Sequence, residues 1–270
     1  MFSFFRAHCP VDPVAKTWIE GRLAWLDEHF GNEDFVFRPP IAPTRESFPE
    51  LFRPGGVVLQ ELFERVCALM HVDPERVELE VMEEPKDLGL VNQHGHAVGG
   101  AAGYYIAEDG RERIQVSPAQ FLAPTQLIGT MAHELAHLRL LGDGRLDGAV
   151  LDNELLTDLC ALHHGFGIFL ANGPTAWVSQ LPRWPGTNVL KPEYMPAPYY
   201  GWALAHQAWL RGEHKPEWFA HVRGDSLTCA REGLKYLGKS LDSAFATQDW
   251  SAWETLHARL VPPDEESWKS

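Results

Sequence analysis

The stretch TMAHELAHLRLLG sets two histidines four residues apart with a glutamate directly after the first: His133, Glu134 and His137. On an α-helix, residues four apart lie about 40° apart around the axis and about 6 Å along it, so both imidazoles project from one face. Such a pair can grip one zinc ion, for which imidazole nitrogen is a good ligand. A catalytic zinc takes three protein ligands and leaves a fourth position for water. Glu134 stands next to the first ligand, where it can take a proton from that water, whose pKa zinc brings down to about 7. The pattern is HExxH. The competing reading is accident: with 13 histidines in the chain, HExxH arises by chance with odds of roughly a few per cent.

A third ligand would separate the two readings, and three kinds are open. In the metzincin pattern a glycine follows the second histidine by three residues and a ligand by six. Those positions hold Leu140 and Asp143, so Asp143 can ligate but the turning glycine is missing. A downstream cysteine has no supporting spacing. The stretch DNELLTD offers Glu154 after sixteen intervening residues, with Asp158 one helical turn further along the same face. Glu154 can complete a His2Glu set. Asp158 can accept a hydrogen bond from the distal nitrogen of a ligand histidine, fixing its tautomer.

His133-Glu134-Leu-Ala-His137 followed by Asn153-Glu154-Leu-Leu-Thr157-Asp158 resembles the gluzincin metallopeptidases, thermolysin-like enzymes among them, over roughly residues 99–172. The resemblance implies a zincin-like fold and one Zn2+ per chain held by His133, His137 and Glu154. It also implies Glu134 as general base and Asp158 behind the ligands. In zincins the edge strand runs along the cleft and pairs with an extended substrate by strand addition. Here GGAAGYYI precedes the HExxH helix, and its Gly100, Ala101 and Ala102 are small enough for a substrate backbone to approach; a flexible lead-in to a hairpin is the alternative. The charge that develops on the scissile carbonyl oxygen calls for a Tyr or His donor. Tyr199 and His206 share a helical stripe with Trp202 and Trp209, with Tyr200 a further candidate; His206 is also readable as a core histidine. His94 and His96 lie in a glycine-rich loop beside the candidate strand. His163 points about 180° from Glu154 on a helical wheel, so His163 and His164 are left out of the ligand set.

The elements that must position these residues follow from periodicity. Val14 to Phe30 and Val57 to His71 have helical patterns, separated by a segment with five prolines between Pro39 and Pro54. VELEVM (77–82) alternates as a strand, and GYYIAEDGRERIQVS (103–117) reads as a hairpin turning at Asp109-Gly110. The HExxH helix and a second helix over DNELLTDLCALHHGFGIFLANG come next, the latter capped by Asp152 or Asn153. Six prolines between Pro174 and Pro198 mark a connecting segment, and a Trp-rich helical part follows. Strands first and helices after imply an α+β fold: a zincin-like core over 1–173 with a small twisted sheet on the HExxH helix, a connection over 174–198, and a helical subdomain over 199–270.

Composition narrows the function classes. The formal charge of −14 argues against a nucleic-acid partner, which needs concentrated Lys and Arg. No apolar run is long enough to span a bilayer. The amino-terminal MFSFFRAHCPVDP has no signal-peptide pattern, and the four cysteines are too scattered for a disulfide framework, so a reduced, cytoplasmic setting is expected. These readings together point to a zinc-dependent hydrolase that cleaves peptide or protein substrates. The alternative is a zincin-fold regulatory or interaction module that binds zinc with little turnover.

Overall fold

The computed structural model describes residues 8–82, 102–173 and 183–261. Helix α1 spans Pro13–Phe30. It starts there because the Asp12 carboxylate accepts from the backbone N–H of Val14 (2.9 Å) and Ala15 (3.0 Å), and Pro13 has its φ pre-set. It stops at Gly31, whose φ of 77° suits glycine. The proline-bearing segment after it holds only a 3-10 turn, Pro49–Phe52. Helix α2 spans Leu59–Leu69, and strands β1 (Val77–Val81), β2 (Gly103–Glu108) and β3 (Arg111–Val116) follow. Asp109 and Gly110 join β2 to β3 with φ of 52° and 74°, the two-residue turn whose twist matches that of the strands.

The HExxH helix is α3, Pro124–His137, continued by a π-helical turn Leu138–Gly142. Helix α4, Asn153–Ala161, carries Glu154 and Asp158. The single long second helix expected from the sequence is broken. A π turn over Leu162–Phe166 precedes the short α5, Gly167–Ala171, because Gly165 takes φ 99°. The Gly165 carbonyl there accepts the backbone N–H of Ile41 at 2.8 Å. Four α-helices, with a 3-10 turn Glu217–His221 between the first two, complete the described chain: α6 (Ala197–Leu210), α7 (Gly224–Ser240), α8 (Ala244–Thr247) and α9 (Ser251–Leu260). The fold is α+β, mainly helical with one small sheet. None of the described helices is long and apolar enough to cross a membrane.

The chain forms two compact units, residues 43–145 and residues 1–42 with 146–270. In the first, the sheet order is β1-β3-β2. The central β3 pairs parallel with β1 and antiparallel with β2, which leaves β2 at an edge among the described residues. Helix α3 packs on β2, β3 and α2. Its Leu127, Ile128, Met131 and Leu135 form a core with Ile114 and Val116 of β3 and with Leu62, Phe63 and Val66 of α2. Each such side chain contributes about 1.5–3 kcal/mol when fully buried.

In the second unit α1 packs against α4, α6 and α9, and α6 against α7. These groupings are not the segments 1–173, 174–198 and 199–270 of the sequence reading. Trp18, Ile19, Leu23 and Leu26 of α1 are fully buried, so the amino-terminal helix shares a core with the carboxy-terminal ones. The tryptophans Trp184 and Trp202 are likewise wholly buried. Residues 174–182 and the tail beyond 261 lie outside the described residues.

Asp152, expected as a helix cap, makes no capping bond. Its carboxylate instead accepts Arg22 Nε and Nη2 and Trp18 Nε1, each at 2.7 Å, and both partners of the ion pair are fully buried. Breaking such a pair from one side leaves an uncompensated buried charge. Asp152→Ala is therefore expected to destabilise the protein by about 3–5 kcal/mol, with the double change Arg22→Met, Asp152→Leu recovering much of the loss. Urea denaturation reads both, and a single-variant loss below about 1 kcal/mol would show that the pair is not structural.

Candidate metal centre

Helix α3 delivers His133 half-buried and His137 and Glu134 buried. The two imidazoles are neighbours on one face, with ring centroids 4.9 Å apart and planes at 84°. Tyr105 of β2 stacks beside His137 with its ring nearly parallel, at 11° and 6.4 Å between centroids. Its hydroxyl donates to Glu112 Oε1 at 3.2 Å. Burial, with Glu112 adding to it, pushes the phenol up to about 12, so Tyr105 remains a donor near neutral pH.

Glu112 in turn receives Arg76 Nε (2.6 Å) and Nη2 (2.9 Å), while Arg76 Nη1 bonds Asp143 at 2.5 Å. Arg145 also pairs with Asp143. Burial raises the Asp143 carboxyl, but the hydrogen bonds from Arg145 and Arg76 outweigh it and hold the group below its usual range. Asp143 thus serves arginines, and it is not among the side chains that gather with His133 and His137.

Glu134 lies against the first residue of β2. A Cβ added to Gly103 would sit 2.7 Å from Glu134 Oε1 and 2.7 Å from Thr130 Cγ2. The candidate general base and the edge strand therefore touch through a position that has room for hydrogen only. Of the three small residues named from the sequence, Gly100 and Ala101 lie outside the described residues. Ala102 is exposed just before β2, and its carbonyl accepts Ser117 N–H at 3.0 Å.

On α4, Glu154 is half-buried in the first turn and Asp158 is buried one turn later. Asp158 Oδ2 accepts the backbone N–H of Met195 at 2.8 Å. Tyr200 also bonds Asp158, and its phenol is pushed well above the ordinary value by burial first and by that carboxylate second. Lys191 is buried as well. Burial pushes its ammonium down, while the charges of Asp152, Glu193 and Glu154 pull the other way.

His133, His137 and Glu154 each offer one ligand atom, and these atoms all lie within 4.8 Å of one another. The remaining sequence candidates have other surroundings. His206 is wholly buried, with Nδ1 3.2 Å from Trp202 O and Nε2 3.1 Å from Ser243 Oγ and 3.3 Å from Glu20 Oε1. Those contacts are a core histidine's rather than a catalytic donor's. Tyr199 is buried against Trp18, ring centroids 6.2 Å apart, and burial raises its phenol to about 12. It too is part of a packed aromatic cluster. His163 bonds Asp27 at 2.8 Å and His164 the Cys160 carbonyl at 3.1 Å. His94 and His96 lie outside the described residues.

Sequence reasoning passes over Gly103, Tyr105 and Lys191, and gives Tyr200 a different role. A signal exists for the first alone: GGAAG is a run of small residues, of which Gly103 is the last. No protein-family model, curated protein or solved structure matches the chain.

The Gly103 contact yields a test. Gly103→Ala overpacks the strand–helix junction and is expected to cost about 1–3 kcal/mol. Adding Glu134→Ala should recover part of it, giving a coupling of at least about 0.5 kcal/mol in a double-mutant cycle. Additive effects in chemical denaturation would mean that the two residues do not compete for the same space.

Proposed function

We propose that this chain is a zinc-dependent peptidase of gluzincin type with a zincin-like core, acting in the cytoplasm on peptide or protein amide bonds. The supporting observation is the approach of two imidazoles and one carboxylate to within 4.8 Å, the donor set of a catalytic zinc site rather than a closed structural one. Donor atoms around a four-coordinate zinc are roughly 3.4 Å apart, so small side-chain movements suit the set to that ion. The four cysteines are free thiols, in keeping with a reducing setting.

When bound, zinc supplies Lewis acidity, polarising the scissile carbonyl and bringing a water's pKa down to about 7. His133, His137 and Glu154 would hold the ion. Glu134 takes a proton from the attacking water and returns it to the leaving amine nitrogen, the work of a general base that becomes a general acid. Tyr105 restrains the His137 ring through the stacking contact. Asp158, steadied by Met195 and Tyr200, is assigned to orient a ligand histidine. The outer edge of β2 receives the substrate as an added strand.

Metal content by plasma mass spectrometry tests the reading. The wild type is expected to hold about one zinc per chain, and Glu154→Ala to lose most of it. Asp158→Asn should weaken zinc binding about 10–100-fold. Glu134→Gln should keep its zinc yet lose at least about 100-fold in hydrolysis of a peptide library. Zinc retained in Glu154→Ala would end the gluzincin assignment, and a zinc-loaded wild type with no hydrolysis would favour a binding module.

A further inference from the structure

Helix α7 and the segment that follows α6 line an open surface depression of about 520 Å³, most of whose lining residues are exposed; the volume is in the range that suits a small organic ligand. Pro216, Phe219 and Leu234 give it apolar lining. Arg231, Lys235 and Lys239 also line it, at successive four-residue steps that put all three on one face of α7. Lys215 and His214 add to the same wall, and no carboxylate contributes. Among the described residues, Lys215, Arg231, Lys235 and Lys239 form no ion pair.

Cations one turn apart repel. The end of the helix dipole offsets this for Lys239 in the last turn, but Arg231 stands mid-helix with no such compensation. Gly238 lines the depression as well. Glycine inside a helix costs stability relative to alanine. Gly201 and Gly233 are explained by close α6–α7 packing, where an added Cβ would fall 2.5 Å from Cys229 Cβ and 2.8 Å from Ala205 Cβ. At Gly238, an exposed position in the last turn of α7, an added Cβ would meet nothing within 4 Å.

We propose that this depression binds a small phosphomonoester carrying an apolar or aromatic group. Its dianionic head would lie against Arg231 and Lys235 and its ring against Phe219 and Leu234. An arginine fork matches phosphate geometry, and a lysine adds point charge. The chain as a whole carries −14, which decides against a long polyanion: that would run on over acidic surface. A compact anion feels mainly charges within a screening length of about 8–10 Å.

Calorimetric titration of the full chain with phenyl phosphate, inorganic phosphate and phenol tests this. Phenyl phosphate should bind one per chain, at least about tenfold tighter than either fragment, and more weakly as salt is added. Arg231→Gln and Lys235→Gln, both at exposed positions, should each weaken it about tenfold with circular dichroism unchanged. Gly238→Leu should block it by filling the depression. Glu154→Ala should bind as the wild type does, which separates this site from phosphate held at a zinc. Absence of binding at millimolar ligand, affinity equal to that of phenol, or affinity untouched by both glutamine variants would overturn the proposal. So would tight binding of a single-stranded RNA oligonucleotide in place of phenyl phosphate.

Discussion

Arg22 and Asp152 stand 130 residues apart in the chain and meet where water does not reach. Desolvating both charges is expensive, and the cost is offset only by good geometry and by satisfying the remaining lone pairs. The geometry here is a two-pronged contact, with Trp18 Nε1 supplying a third bond to the same carboxylate. The guanidinium also lies over Trp25 (5.6 Å) and Trp253 (5.3 Å). Apolar burial is non-directional, whereas this fork admits one arrangement. Because Asp152 immediately precedes α4, the fork fixes where that helix begins and hence which way Glu154 and Asp158 face.

The histidine-bearing helix is braced by a different kind of interaction. Arg76, Glu112, Tyr105, Asp143 and Arg145 form a linked, partly exposed network. Pair by pair such contacts contribute little. Their effect is geometric: they hold Tyr105 beside His137 and secure the π turn that closes α3. Ring orientation matters at a metal site because a ligand imidazole must present the correct nitrogen. The same network engages Asp143 with Arg76 and Arg145.

Much of the fold is legible in the sequence because it is encoded locally. The hairpin rests on alternating residues and on Asp109-Gly110, α1 on Asp12, Pro13 and Gly31, and α3 on apolar residues at helical spacing. Each signal lies within a few residues of the structure it specifies. The interruption of the second helix is not legible. Glycine inside a helical pattern is tolerated, and the break at Gly165 comes with a contact to Ile41, far away in the chain, whose N–H bonds the Gly165 carbonyl. His206 illustrates the same limit. A histidine on a helical stripe reads equally as donor or core, and the contacts that describe it come from Glu20 and Ser243.

By itself the sequence determined that two imidazoles and a glutamate share one helix, and that a carboxylate pair, Glu154 and Asp158, shares one face of the next, since helical geometry converts spacing directly into direction. The α+β class followed from the order of local patterns. Only the tertiary structure decided that Asp152 is an ion-pair partner rather than a cap, that Gly103 lies on Glu134, and that Tyr200 holds Asp158. It also decided that α1 joins the carboxy-terminal helices. In each case the deciding partner is remote in the chain, and contacts between remote segments are set by packing the whole core, which no local spacing records.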